Sequence, residues 1–278
     1  MQLNPVYGDE PLQRIESLVE DPATPLVRQR VRLADMVSGF DAEQWASPSR
    51  CEGWSVQDVI AHLVTTNQFW SYSLACGLAG KPSRVLDGFD PVATPAQLVA
   101  SVQDRTVAET LDLFNQSNDA LATALEGLDA RGWDTLAESP PGHQSIRLLA
   151  MHAIWDSWIH ERDIALPLGI TPPLEADEVA ASLIYVALLG PAFSAVSGVT
   201  RPGTLAIRAT DPAVDVQIEM GERIVVRPGP APAGTPTLTG DAVELVEGLS
   251  FRTPLTPTLA NDDRWLLGTL GTVFDRTD

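Results

Sequence analysis

Two imidazoles and two carboxylates share one stripe of an otherwise apolar stretch, residues 151–163, MHAIWDSWIHERD. At about 100° per residue, His152, Asp156 and His160 fall near 0°, 40° and 80° on a helix, and Asp163 returns to about 20°. Ile154, Trp155, Trp158, Ile159 and Ile164 cover the other faces. Such a helix belongs in a core, where titratable groups need partners. Asp156 and His160 stand one turn apart and can share one ion, or they can simply satisfy each other by a hydrogen bond. A third ligand separates the two readings. His62, set between apolar neighbours in Ala61-His62-Leu63, is the candidate, although a lone histidine there also reads as a satisfied core residue. Two histidines and a carboxylate, with a fourth position open, suit a catalytic zinc. Asp163 can accept the remaining ring N–H of a ligand histidine, or can be no more than a polar residue near a helix end. His152 is a candidate acid or base, or a partner for Asp156. Arg252 is a candidate anchor for a substrate carboxylate, or a surface residue.

These groups need helices to hold them. Apolar residues recur at helical spacing over residues 11–40, with a break at 21–25. Ser55 and Asp58 make a capping-box-like start for a second helix that carries His62 to about residue 79. Thr94-Pro95 reads as the start of a third helix, continuing to about Gly127, and a fourth starts near Ser145 and contains the opening stretch. Four long apolar stripes must bury one another, which predicts a bundle. Past Leu166 the pattern changes: a Pro/Gly segment, a helix over 176–196, strands over 204–209, 214–220, 223–226 and 237–239, then helices over 241–249 and 259–274. The chain therefore reads as α+β, with a helical domain at 1–168 and a smaller α+β domain at 169–278.

The 278 residues carry 44% hydrophobic side chains and a formal charge of −19, with Lys81 the only lysine. That field argues against nucleic acid and anionic membrane surfaces as partners, and against a highly anionic substrate unless arginines gather locally. No signal peptide is visible, and Gly190-Pro191 interrupts the longest apolar run, so a cytoplasmic protein is expected. Cys51 and Cys76 form no disulfide framework; Cys76 reads as a small buried hydrophobe, and Cys51, just ahead of a helix start, reads as a packing residue or a reactive thiol.

The segment Trp45…Pro48-Ser49…Cys51-Glu52-Gly53-Trp54-Ser55-Val56-Gln57-Asp58…His62-Leu63 resembles the N-terminal domain of the mycothiol-dependent maleylpyruvate isomerase family, within the DinB-like superfamily of metal-binding four-helix bundles. Asp156, His160 and Asp163 match the family's carboxylate, histidine and following aspartate on the fourth helix, with Asp156 where Glu is usual. Gly203-Thr204-Leu205…Asp211, Thr239-Gly240-Asp241…Leu245 and Phe251-Arg252 resemble its sterol-carrier-protein-like second domain. The resemblance implies a divalent metal, zinc, held by His62, Asp156 and His160. It also implies mycothiol, a low-molecular-weight thiol without a free carboxylate, acting as a thiolate on a small electrophile in isomerisation or S-transfer. Two alternatives stand beside it: a non-catalytic metal-stapled binding or regulatory protein, and a metal-dependent hydrolase that uses water in place of the thiol.

Overall fold

The computed structural model describes residues 2–16, 19, 21–199, 201–255 and 258–268. After strand β1 (Gln13–Ile15) come α1 (Ala23–Ser38), the short α2 (Ala42–Ala46), α3 (Val56–Leu78), α4 (Ala93–Ala100), α5 (Val107–Leu125) and the short α6 (Ala130–Asp134). A small hairpin, β2 (Leu136–Ser139) with β3 (Gly142–Ser145), leads into α7 (Ile146–Ala165) and then α8 (Ala176–Val196). The rest is β4 (Gly203–Thr210), β5 (Val214–Met220), β6 (Ile224–Pro228), β7 (Thr237–Asp241), α9 (Ala242–Leu249) and a 3-10 helix at Asn261–Leu267. The fold is α+β, as the sequence pattern predicts.

The four-helix bundle is α1, α3, α5 and α7: α3 packs on α5 and α7, and α1 packs on α7 and α5. Its lower core joins Leu33, Val37, Trp45, Val59, Ile60, Leu63, Phe114 and Ile164. Every residue of α7 except Arg147 and Arg162 is buried. On its outer side α7 packs against α8, which in turn covers β5, β6 and α9. The sheet runs β1-β6-β5-β4-β7, an antiparallel β4–β5–β6 meander with parallel strands at both edges. Val214, Val216 and Ile218 alternate inward along β5 with a period of two.

Four local expectations need correction. Residues 13–15 are not helical; they form β1 in register with Ile224–Val226 of β6, a pairing partner about two hundred residues away that no local pattern announces. The third helix is two. Thr106 and Glu109 close a capping box of their own, with the Thr106 backbone N–H on Glu109 at 2.8 Å, so α5 starts afresh after a turn at 101–104. Helix α4 starts at Ala93 rather than at the Thr94-Pro95 cap, because the Asp90 carboxylate accepts from the Val92 and Ala93 N–H groups. Among 259–274, Asn261–Leu267 is 3-10, and residues 269–274 lie outside the described residues.

Helix α8 bears on the membrane expectation. Contrary to the reading of its sequence, it is long and apolar enough to cross a bilayer, with Pro191 inside the helix rather than ending it. It is instead a core helix: 83% of its apolar window is buried by the protein's own α7, sheet and α9. An ion network braces this layer. Arg32 of α1 lies bidentate on Glu161 of α7 (2.8 and 2.7 Å) and also reaches Glu178 of α8 at 2.7 Å. Arg28 joins Glu178 and Asp177.

Close approach also sets α3 against the hairpin. The Ser73 hydroxyl donates to the Glu138 carbonyl at 2.8 Å and accepts from its N–H at 2.7 Å. One turn on, a Cβ at Gly77 would lie 2.3 Å from the Leu136 carbonyl oxygen. Gly→Ala inside a helix is ordinarily favourable by up to about 1 kcal/mol. Gly77→Ala is expected to reverse that sign and destabilise by about 1–3 kcal/mol through overpacking, read as a lower midpoint in thermal or urea unfolding.

Candidate metal centre

Local signals aim the groups before packing joins them. The Ser55 side chain caps α3 while the Asp58 carboxylate accepts from the Ser55 N–H at 2.9 Å, so the helix register is set two turns before His62. Ser145 caps α7 in the same way through the Leu148 N–H. The Trp54 ring, just ahead of the cap, lies against His62 with centroids 5.3 Å apart.

Packing of α3 on α7 brings His62, Asp156 and His160 to one point. Asp156 Oδ1 is 3.6 Å from His62 Nε2 and 3.5 Å from His160 Nε2, and the three ligand atoms all lie within 4.8 Å of one another. Those separations are too long for good hydrogen bonds. They match the edge of a coordination tetrahedron: ligands roughly 2.0–2.2 Å from zinc sit about 3.3–3.6 Å apart. Asp156 reaches this point without the extra methylene of a glutamate. Its second oxygen, Oδ2, is buried without a hydrogen-bond partner, as is His62 Nδ1. The set fits a divalent ion by donor type, spacing and burial.

His160 is used from both sides. Its Nε2 faces Asp156, while Nδ1 lies 3.0 Å from Asp163 Oδ2. Asp163 is fully buried and accepts from four directions. Arg252 donates to both of its oxygens at 2.8 Å, Arg50 donates at 3.0 Å, and the Cys51 thiol donates at 3.2 Å. Cys51 Sγ also lies 3.6 Å from His160 Nδ1, so Cys51, His160 and Asp163 form a second cluster of ligand-type atoms sharing that ring. Arg50 continues to Glu247 of α9 at 2.8 Å, and Arg162 meets the same carboxylate. Both fork nitrogens of Arg252 are therefore engaged on Asp163, with Nη1 on the Ser250 carbonyl at 3.1 Å, and the residue is not on the surface.

Burial and neighbours move the titrations in opposite directions. Burial would raise the Asp156 pKa, but His62, through a hydrogen-bond-like contact and its charge, and then His160 and His152, hold it well below the usual carboxylate range. Burial lowers His62, opposed by Asp156. Burial also acts to lower His160, yet the Cys51 sulfur and the Asp163 carboxylate outweigh it and push the imidazole up to about 10. Asp163 is held ionised against burial by His160 and Arg252.

His152, on the same stripe, acts on Asp156 through its field but makes its hydrogen bond to another helix. Its Nδ1 shares a hydrogen bond with the Tyr185 hydroxyl of α8 at 2.6 Å, and its ring packs among Trp70, Trp155 and Tyr185 with centroids 4.7–5.5 Å away. Trp155 in turn donates to the Ser250 hydroxyl at 2.9 Å. Residue-by-residue reading missed Arg50, Glu247 and Tyr185, and named Cys51 only as a packing residue or reactive thiol, not as a partner of Asp163 and His160. Cys51 adjoins the tryptophan-led turn, which was a usable signal; Glu247 and Tyr185 carry none.

The site and fold together define a four-helix bundle with a two-histidine, one-carboxylate group in its core and an α+β segment closing one side. The chain belongs to the mycothiol maleylpyruvate isomerase N-terminal domain family, whose model matches residues 26–165. Among solved structures it is similar to the mycothiol-dependent maleylpyruvate isomerase, with a TM-score of 0.59 and 14% identity over 84% of this chain and 89% of that one. It is similar as well to a histidine-to-alanine mutant of that enzyme, with a TM-score of 0.58 and 13% identity over the same shares. At these identities the likeness establishes the fold. No curated protein sequence matches the chain.

Burial draws the His152 pKa down to about 4, against about 6.5 in an unfolded chain. Between those values the unfolded state binds the proton and the folded state does not, so stability is full above about pH 6.5 and falls toward pH 4. The difference is worth roughly 3 kcal/mol. His152→Gln is expected to flatten the stability profile across this window, measured by urea unfolding at a series of pH values. An unchanged slope would show that the imidazole is already protonated in the folded protein.

Proposed function

We propose that the protein is a metal-dependent enzyme in which His62, Asp156 and His160 hold a divalent ion, zinc by its donor set. Its cosubstrate is a low-molecular-weight thiol, mycothiol, which acts on a small electrophile by isomerisation or S-transfer. The single observation that supports this most is the convergence of three buried donors from two helices, with both histidine nitrogens at tetrahedral-edge distance from Asp156 Oδ1 and two of the three residues carrying an orphaned second polar atom. Family membership supports an enzyme using a small thiol. When bound, a divalent ion lowers the pKa of a thiol that joins it and so supplies a nucleophile near neutral pH.

The remaining work falls to this chain's own side chains. Asp163 accepts the Nδ1–H of His160, which orients the ring and turns Nε2 toward Asp156. Arg252 and Arg50 keep Asp163 ionised, so both act through it as positioning residues rather than touching the electrophile. Glu247 holds Arg50 and Arg162 in turn, and so ties α9 to the site. His152, neutral near pH 7 and hydrogen-bonded to Tyr185, forms a polar patch in an aromatic wall that keeps water out.

Metal analysis of protein purified without added metal is expected to find one ion per chain, lost in His62→Ala and in Asp156→Ala. Asp163→Asn should keep the ion but weaken its binding about 10- to 100-fold, as loss of an orienting carboxylate does. Incubation with mycothiol should either isomerise a maleyl-type compound with no net loss of thiol or consume thiol with an epoxide, and do so in the wild type only. Wild-type protein without metal would overturn the proposal. So would turnover that persists without thiol, which would assign the site to hydrolysis.

A further inference from the structure

The two histidines of the metal group are oriented by different means. The His160 ring is held at its second nitrogen, Nδ1, by Asp163 at 3.0 Å. His62 has no such contact, because its Nδ1 is buried without a hydrogen-bond partner. A ligand imidazole ordinarily gives that nitrogen to a carboxylate, a carbonyl or water, and the contact sets the plane of the ring. What meets His62 instead is two rings. The Trp54 indole lies with its centroid 5.3 Å away and its plane tilted by 49°, and the His160 ring lies 5.0 Å away and close to edge-on. His160 is itself one of the three donors, so Trp54 is the ring that comes from outside the group.

The backbone that carries Trp54 is locked. Ser49 donates to the Trp54 carbonyl through both its N–H (2.9 Å) and its hydroxyl (2.8 Å), and the Trp54 N–H donates to the Cys51 carbonyl at 3.0 Å. Gly53 takes φ +76°, a left-handed conformation that a side chain resists, and so lets the turn close just ahead of the Ser55 cap. The Arg50 N–H anchors the turn on α7 through the Asp163 carbonyl at 3.0 Å. The same turn sends the Arg50 and Cys51 side chains to the Asp163 carboxylate that holds His160. Residues 49–54 therefore reach both histidines, His160 through a hydrogen-bonded carboxylate and His62 through a ring.

We propose that Trp54 is a positioning residue for the metal centre: its indole holds the His62 imidazole in the plane that aims Nε2 at the ion, the task a hydrogen bond at Nδ1 would otherwise perform. The proposal deepens the function given above and rests on His62, Asp156 and His160 holding a divalent ion. The competing role is packing alone. Trp54 precedes the Ser55 cap, where an apolar side chain staples onto the fourth residue of the helix, here Val59, and it packs against the core cluster that includes Val59. A leucine fills a staple but has no flat face to lay on an imidazole, so the two roles separate. Ring contact is weaker than a charged hydrogen bond, so Trp54 should matter less to metal affinity than Asp163 does.

Zinc affinity, measured by competition with a chromophoric chelator, and histidine-ring NMR of the metal-free protein test it. The chain has four histidines, so the His62 ring signals can be assigned by difference with His62→Ala. Trp54→Leu is expected to weaken zinc binding about 3- to 10-fold, the range an aromatic pair contributes. It should also move the His62 ring signals by removing the indole ring current. Trp54→Phe, which keeps a flat ring, should bind zinc within about 2-fold of the wild type. Without metal, Trp54→Leu should melt within about 5 °C of the wild type. Three results would overturn the positioning role: Trp54→Leu binds zinc as the wild type does, the Leu and Phe variants lose affinity equally, or the metal-free Leu variant melts far below the wild type, which would make Trp54 a staple only. Wild-type protein that binds no zinc sinks the metal centre and this proposal with it. Zinc held equally by the wild type and Trp54→Leu sinks the positioning role alone.

Discussion

A helix surrounded by protein on every side can carry polar groups only where other segments arrive to meet them. Helix α7 is in that position, and the constraint is sharpest at Asp163, an ionised carboxylate with no access to water. Removing one partner from such a buried charge costs about 3–5 kcal/mol. The charge therefore needs Arg50 from the loop before α3, Arg252 from beyond α9, the His160 ring and the Cys51 thiol all in place. Much of the tertiary arrangement follows from satisfying this one oxygen pair.

The consequence is a division of labour between the two parts of the chain. The bundle supplies the inner donors, His62 on α3 with Asp156 and His160 on α7. The α9 region supplies what orients and neutralises them: Glu247 on Arg50 and Arg162, Arg252 on Asp163, and Ser250 under Trp155. An acidic chain with few cations has placed many of them at internal acid contacts. Glu247 of α9 reaches the His160 ring through three successive side-chain contacts, by way of Arg50 and Asp163.

Local sequence carried the helical elements well where a cap or a period marks them. Ser55 with Asp58, and Ser145, start α3 and α7 where expected, and the period-two runs of β4 and β5 are strands. It failed where the deciding partner is distant. Residues 13–15 have no strand signature of their own and become β1 only because β6 offers an edge. The turn between α4 and α5 was hidden because the apolar spacing runs on across it, while the capping box at Thr106 and Glu109 overrides the period. For α8, hydropathy and length cannot tell a membrane span from a core helix; the neighbours that bury it do.

What the sequence determined by itself is the set of donors and their phase: histidine, aspartate, histidine and aspartate on one stripe of a core helix, and a capped helix carrying one more histidine. A 3.6-residue period is enough for that, since it depends only on local backbone geometry. What the tertiary structure alone decided is the meeting of α3 with α7, which sets His62 and His160 3.6 and 3.5 Å from one oxygen of Asp156. It also decided that Arg252 serves Asp163 and that His152 answers to Tyr185. These are contacts across long separations in the chain, and their free energies come from desolvation and charge pairing in a shared interior, quantities that no window of sequence contains.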